Sequence, residues 1–129
     1  CLDFLPSRNL YQFGIRSGTA EEYRFANNHC HLYPFEVLRP VKEVLPELKG
    51  RPVYITIDID VMDPAYAPGT GTPEPGGITS REMIETILAM KDLNVVGFDV
   101  VEVAPGLDPT DRTVVLGAKL IREAILAFG

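Results

Sequence analysis

Two apolar runs most limit what this chain can fold into: residues 53–60 (VYITIDID) and residues 95–103 (VVGFDVVEV). The first places β-branched residues at alternate positions, the mark of a strand. The second is almost continuously apolar, as expected of a strand covered on both faces. Between them Thr79-Ser80-Arg81-Glu82 forms a capping box, opening a helix with Met83, Ile84, Ile87 and Leu88 on one face. A strand, a helix and a second strand of this kind imply a right-handed crossover and parallel pairing.

The flanking sequence continues the alternation. Asn9 to Ile15 reads as a strand, and Thr19-Ala20-Glu21-Glu22 as a second capping box with a short helix to about Asn27. Residues 29–35 read as irregular, and Val41 to Leu48 as a short helix. A final helix from about Asp111 to Phe128 carries Val114, Ala118, Ile121, Ile125 and Phe128 at spacings of three and four, the expected core stripe. The order β-α-(α)-β-α-β-α defines an α/β layered fold with a parallel sheet.

Composition then excludes several classes of function. With 129 residues and 46% apolar content the chain has the size and apolar content of one globular domain rather than a disordered segment. A formal charge of −6 argues against nucleic acid or an anionic membrane as partner, and suits a cationic ligand or a metal ion. The apolar runs are too short for a membrane span or a signal peptide. Cys1 and Cys30 have no spacing suited to zinc; a single 1–30 disulfide is the lesser alternative, and a reduced, cytoplasmic chain is the preferred reading. The start at Cys1-Leu2-Asp3, without an initiator Met, raises the expectation of a fragment.

Chemistry concentrates at Asp58-Ile59-Asp60. On a continuing strand both carboxylates would point to one side, their Cα atoms ~6.5–7 Å apart. Like charges there repel unless a cation intervenes. Ligands of open parallel sheets bind beyond the carboxyl ends of the strands, and hard carboxylate oxygens suit Mg²⁺ or Mn²⁺. The alternative is that both aspartates cap backbone N–H groups of residues 61–66. Glu102, ending the next strand, would reach the same rim and hold a cationic substrate, or else pair with Arg112 or Lys119. Asp99 reads as a structural hydrogen-bonding group, and His29 and His31 as surface histidines. Residues 63–78 are dense in Gly and Pro and read as a rigid wall; the prolines remove donors a phosphate would need.

Asp58-x-Asp60-x-x-Asp63-Pro64, followed by Pro68-Gly-Thr-Gly-Thr-Pro-Glu-Pro-Gly-Gly-Ile-Thr79, resembles the second metal-ligand segment of the ureohydrolases, the arginase and agmatinase family. Gln12-Phe-Gly-Ile-Arg-Ser17 and Phe98-Asp-Val-Val-Glu-Val103 resemble that family in the same order. Thr72-Pro-Glu-Pro-Gly-Gly77 looks more like the agmatinase branch. The resemblance implies a three-layer αβα fold with a parallel sheet, of which residues 1–129 are the C-terminal part of a single ureohydrolase domain. It implies hydrolysis of a small guanidino substrate, agmatine to putrescine and urea, at a binuclear Mn²⁺ centre that activates a shared water.

Carried over by position, Asp58 matches the aspartate bridging both metals and Asp60 one that binds a single metal, both in the catalytic centre. Glu102 matches the glutamate that grips the guanidinium. The family's usual state implies a homo-oligomeric parent protein. The family's other metal segment, of Asp-Ala-His-x-Asp type, and its further histidines do not occur in this chain, so only part of the ligand set is present. Two alternatives stand beside this reading. One is an inactive fragment or assembly module. The other is a haloacid-dehalogenase-like phosphatase using Asp58 as nucleophile, because residues 55–61 also fit that family's Asp-x-Asp strand.

Overall fold

The computed structural model describes residues 3–129. Strands and helices alternate: β1 (Tyr11–Ile15), α1 (Ala20–His29), β2 (His31–Pro34), α2 (Leu38–Leu48), β3 (Pro52–Asp58), α3 (Ser80–Ala89), β4 (Asn94–Val101) and α4 (Arg112–Phe128). β1 pairs in parallel with β2, and β3 in parallel with β4, as two separate two-stranded sheets. No helix among the described residues is long and apolar enough to cross a membrane.

β2 is the element that sequence patterning misses, falling where an irregular stretch is expected. Four mixed residues ending in Pro34 carry no usable period. What makes them a strand is the partner: Tyr11 aligns with His31 and Phe13 with Tyr33 in the ladder. Both pairs stack, at ring-centroid distances of 4.1 and 5.1 Å. Cross-strand aromatic pairs of this kind stabilise a sheet where backbone propensity is weak.

The capping boxes form as expected. Thr19 accepts from the Glu22 amide and Thr79 from the Glu82 amide, with each glutamate reaching back to its cap. α1 runs to His29, beyond the expected Asn27. α2 starts at Leu38 rather than Val41, because Pro40 falls in the first turn, where a missing N–H removes no helical bond.

Ile57, Ile59, Met62, Met83, Ile87, Leu116, Leu120 and Ala124 form the core between β3–β4 and the helices. Full burial of side chains such as Ile87 and Leu120 contributes about 1.5–3 kcal/mol each. Two sequence expectations need correction. β4 is not covered on both faces among the described residues: Val96 is 63% exposed, and Tyr54 on β3 is 64% exposed. On α4 the buried stripe is Thr113, Leu116, Leu120 and Ala124, whereas Ala118, Ile121 and Ile125 are exposed and Val114 is half-buried. α4 has two apolar stripes, and periodicity alone does not say which one meets the sheet. Leu88 on α3 is likewise exposed, Met83 and Ile87 carrying the contact.

The loop over residues 63–78 is closed at its base. The Asp63 amide donates to the Ile78 carbonyl (3.0 Å) and the Ile78 amide to the Val61 carbonyl (3.1 Å). Gly77 permits this approach, since a Cβ there would lie 2.4 Å from the Asp63 nitrogen and the Met62 carbonyl carbon. Gly77→Ala is therefore expected to destabilise the fold by about 1–3 kcal/mol. Gly71→Ala, with nothing within 4 Å of the added Cβ, should be nearly neutral. Equal thermal midpoints for the two variants would contradict the closed-base description.

Candidate active site at the carboxyl ends of β3 and β4

Asp58 is the last residue of β3, and a single 3-10 turn, Ile59–Val61, follows directly. The expectation that Asp58 and Asp60 share one face of a continuing strand is thus corrected: Asp60 has left the extended backbone. The cause is local. An Asp58 carboxylate oxygen accepts the Asp60 amide (3.0 Å), an Asx-type bond that competes with strand continuation. Asp58 thus caps its own turn through the amide of residue 60, not through amides of residues 61–66. Asp60 keeps its carboxylate for one side-chain partner, the Thr72 hydroxyl, which donates to it at 3.3 Å from the Gly/Pro loop.

Glu102 lies one residue beyond Val101, which is in register with Asp58. Its backbone is left-handed (φ 63°), a conformation that costs a non-glycine residue on the order of 1–3 kcal/mol. Burial pushes the Asp58 carboxyl above its ordinary value of 3.8; the charges of Asp60 and Glu102 add to the rise, and the Asp60 amide opposes it. Among the described residues none of the three forms an ion pair. Arg112 donates to Thr110 and the Ala65 carbonyl, and Lys119 pairs with Glu123, so neither neutralises Glu102.

The loop that brings Thr72 to Asp60 is tied to the start of α4. Asp108, 1% exposed, accepts from the amide (2.9 Å) and the hydroxyl (2.8 Å) of Thr113 and from the amide of Thr110 (3.0 Å). The Thr113 hydroxyl oxygen in turn accepts the Gly69 amide (2.8 Å), and the Gly69 carbonyl accepts the amide of Ala104, two residues past Glu102 (2.8 Å). A Cβ at Gly69 would lie 2.7 Å from Asp108, so only glycine lets the loop come this close. One buried network therefore holds both walls of the carboxylate cluster.

The other candidates stand apart. Asp99 accepts from Tyr54 (2.5 Å) and Thr56 (2.6 Å) on the open sheet face, the structural role expected of it. His31 stacks on Tyr11 and bonds the Arg8 carbonyl, and His29 packs beside Phe25. Cys30 is half-buried, while the 1–30 disulfide involves Cys1, which lies outside the described residues. Sequence reasoning missed Thr72 and Arg16 as parts of the site. Both sit inside recognised motifs, but their partners are 12 and 44–58 residues away.

The donor chemistry fits a divalent cation in kind: hard oxygens, partly buried, with like charges uncompensated. It falls short in number, because no group of three or more His, Cys, Asp or Glu side chains among the described residues is arranged to hold a metal.

A family model described as the Arginase family matches residues 2–127. The chain is 55% identical over 129 residues to the agmatinase of Bacillus anthracis, covering 98% of this chain and 44% of that protein. It is 39% identical over 141 residues to the human mitochondrial guanidino acid hydrolase, covering 99% of this chain and 40% of that protein. Among solved structures, the arginase of Bacillus caldovelox superimposes with a TM-score of 0.86 at 27% identity, over 97% of this chain and 44% of that one. The chain belongs to the arginase family and has its fold. It spans less than half the length of the curated relatives it matches. This membership displaces the phosphatase alternative.

Because Asp108 is held well below its ordinary value of 3.8 by hydrogen bonds from Thr110 and Thr113, it contributes stability that is fully present above that value and declines progressively as pH falls below it, towards the lower folded-state value. Asp108→Asn is therefore expected to lower the urea-unfolding midpoint at pH 7 and to lose this disadvantage towards pH 2. A pH-independent difference would contradict the assignment.

Proposed function

We propose that the chain contributes the second carboxylate wall of a guanidino-hydrolase site, with agmatine as substrate and putrescine and urea as products. The observation that carries this reading is the cluster of Asp58, Asp60 and Glu102, three carboxylates at one sheet end with no cation paired to them among the described residues. In this reading Asp58 and Asp60 hold manganese. The metal, when bound, supplies Lewis acidity that makes a water nucleophilic near neutral pH. Glu102 accepts N–H donors from the planar guanidinium, a charge-assisted contact that orients the carbon to be attacked. Thr72 steadies the Asp60 carboxylate. Relatives named as an agmatinase and as a guanidino acid hydrolase support a guanidino group as the shared element; the agmatine assignment rests on the nearer of the two. The same reading keeps the protein cytoplasmic and homo-oligomeric, with no nucleic-acid or membrane partner.

The direct test is a chimera in which residues 1–129 replace the matching segment of an agmatinase. The chimera is expected to release urea from agmatine. Asp58→Ala should abolish turnover and lower manganese content. Glu102→Gln should keep the manganese but reduce kcat/KM by about 100-fold or more. Normal turnover with Asp58→Ala would remove the assignment.

On its own, the chain is expected to bind one Mn²⁺, weakly, through Asp58 and Asp60, and to release no urea. Close to two tightly held Mn²⁺ per chain, with hydrolysis, would show that the site is not partial.

A further inference from the structure

Arg16 follows the last residue of β1, and its guanidinium donates to four backbone carbonyls. One nitrogen reaches Gly14 (3.1 Å) and Val61 (3.0 Å); the other reaches Asp60 and Glu74 (2.9 Å). Asp60 and Val61 belong to the 3-10 turn after β3, and Glu74 to the loop facing it. A three-residue turn leaves carbonyls without helical partners, and a planar fork of donors satisfies two of them in one geometry. The approach is close because residue 14 is glycine. With φ +72°, a Cβ there would lie 2.7 Å from the Val61 side chain.

An arginine lying against the backbone of an aspartate would ordinarily pair with a carboxylate. None of the ion pairs among the described residues involves it: its two terminal nitrogens donate to carbonyls, and its Nε is buried without a partner among the described residues. The turn is thus fixed to β1 through the Asp60 carbonyl, while among the described residues the Asp60 carboxylate keeps only the Thr72 hydroxyl. We infer that Arg16 is a positioning residue: it clamps the turn that aims the Asp60 carboxylate and leaves that carboxylate open to a cation. The inference rests on the metal role proposed for Asp58 and Asp60.

The sign of one measurement separates this from simple electrostatics. Deleting a positive charge beside a cation site should strengthen cation binding, whereas losing the clamp should weaken it. The test is a titration of the chain with Mn²⁺ alone, followed by electron paramagnetic resonance of free Mn²⁺, for wild type, Arg16→Met and Arg16→Lys. Circular dichroism establishes that each is folded at the working temperature. Both variants are expected to bind roughly five- to tenfold more weakly, a coupling typical of groups in one hydrogen-bond network. Lys fails despite keeping the charge, because it lacks the fork. Should Arg16→Met not fold, Arg16→Lys carries the test.

In an Asp60→Ala background, Arg16→Lys should cost nothing further in Mn²⁺ affinity, a silence that a general structural role would not produce. Tighter binding by Arg16→Met, wild-type binding by Arg16→Lys, or an undiminished effect without Asp60 would each overturn the inference. Absence of Mn²⁺ binding by the wild type would overturn the metal reading of Asp58 and Asp60 and this inference with it. Binding by the wild type with unaltered variants would overturn only the role of Arg16.

Discussion

The site depends on how β3 ends. A strand carrying alternating apolar residues would continue past Asp58 if its ladder were the only demand on the backbone. The Asp58 carboxylate instead accepts the Asp60 amide and winds the chain into a single turn. That bond moves Asp60 off the pleat and frees the Asp60 and Val61 carbonyls for Arg16. It also starts the loop that returns through Ile78. A like-charged pair is thereby held at a sheet edge, in the partly buried setting where an uncompensated carboxylate is costly and a cation is favoured.

The Gly/Pro loop works as a wall because three of its contacts are made at distances only glycine or backbone allows. Gly77 closes the base against Met62 and Asp63. Gly69 seats against Asp108 and Thr113. Its carbonyl reaches Ala104 beside Glu102. The prolines that argue against a phosphate cradle also limit the backbone freedom lost on ordering. Stability and site geometry share the same bonds, so Asp108, ahead of α4 and bonded to its Thr113, bears on the carboxylate cluster without touching it.

Much of this was legible in the residues, for identifiable physical reasons. Capping boxes are local and short-ranged, so Thr19 and Thr79 mark helix starts correctly. β3 and β4 announce themselves because burial demands apolar side chains, and the candidate carboxylates follow from standing at their ends. What stayed hidden was non-local. β2 exists only against β1. The buried stripe of α4 is chosen by the sheet, not by the helix period. Asp60 reads as a strand residue until the side-chain bond that ends the strand is seen. Arg16 sits within a recognised motif, but its function lies in carbonyls more than forty residues away. The exposed face of β3–β4 is the reverse case: the apolar run of β4 predicts a cover that the described residues do not provide.

The central claim is that Asp58 and Asp60 form a cation-holding pair rather than a loop cap that happens to be acidic. Crystals of the chain soaked in Mn²⁺ and measured at the manganese absorption edge address it most directly. The account predicts an anomalous peak within bonding distance of both aspartate carboxylates, with Glu102 outside the coordination sphere. Manganese seated at His29 and His31 instead, or both aspartates bonded only to loop amides with no peak between them, would contradict it.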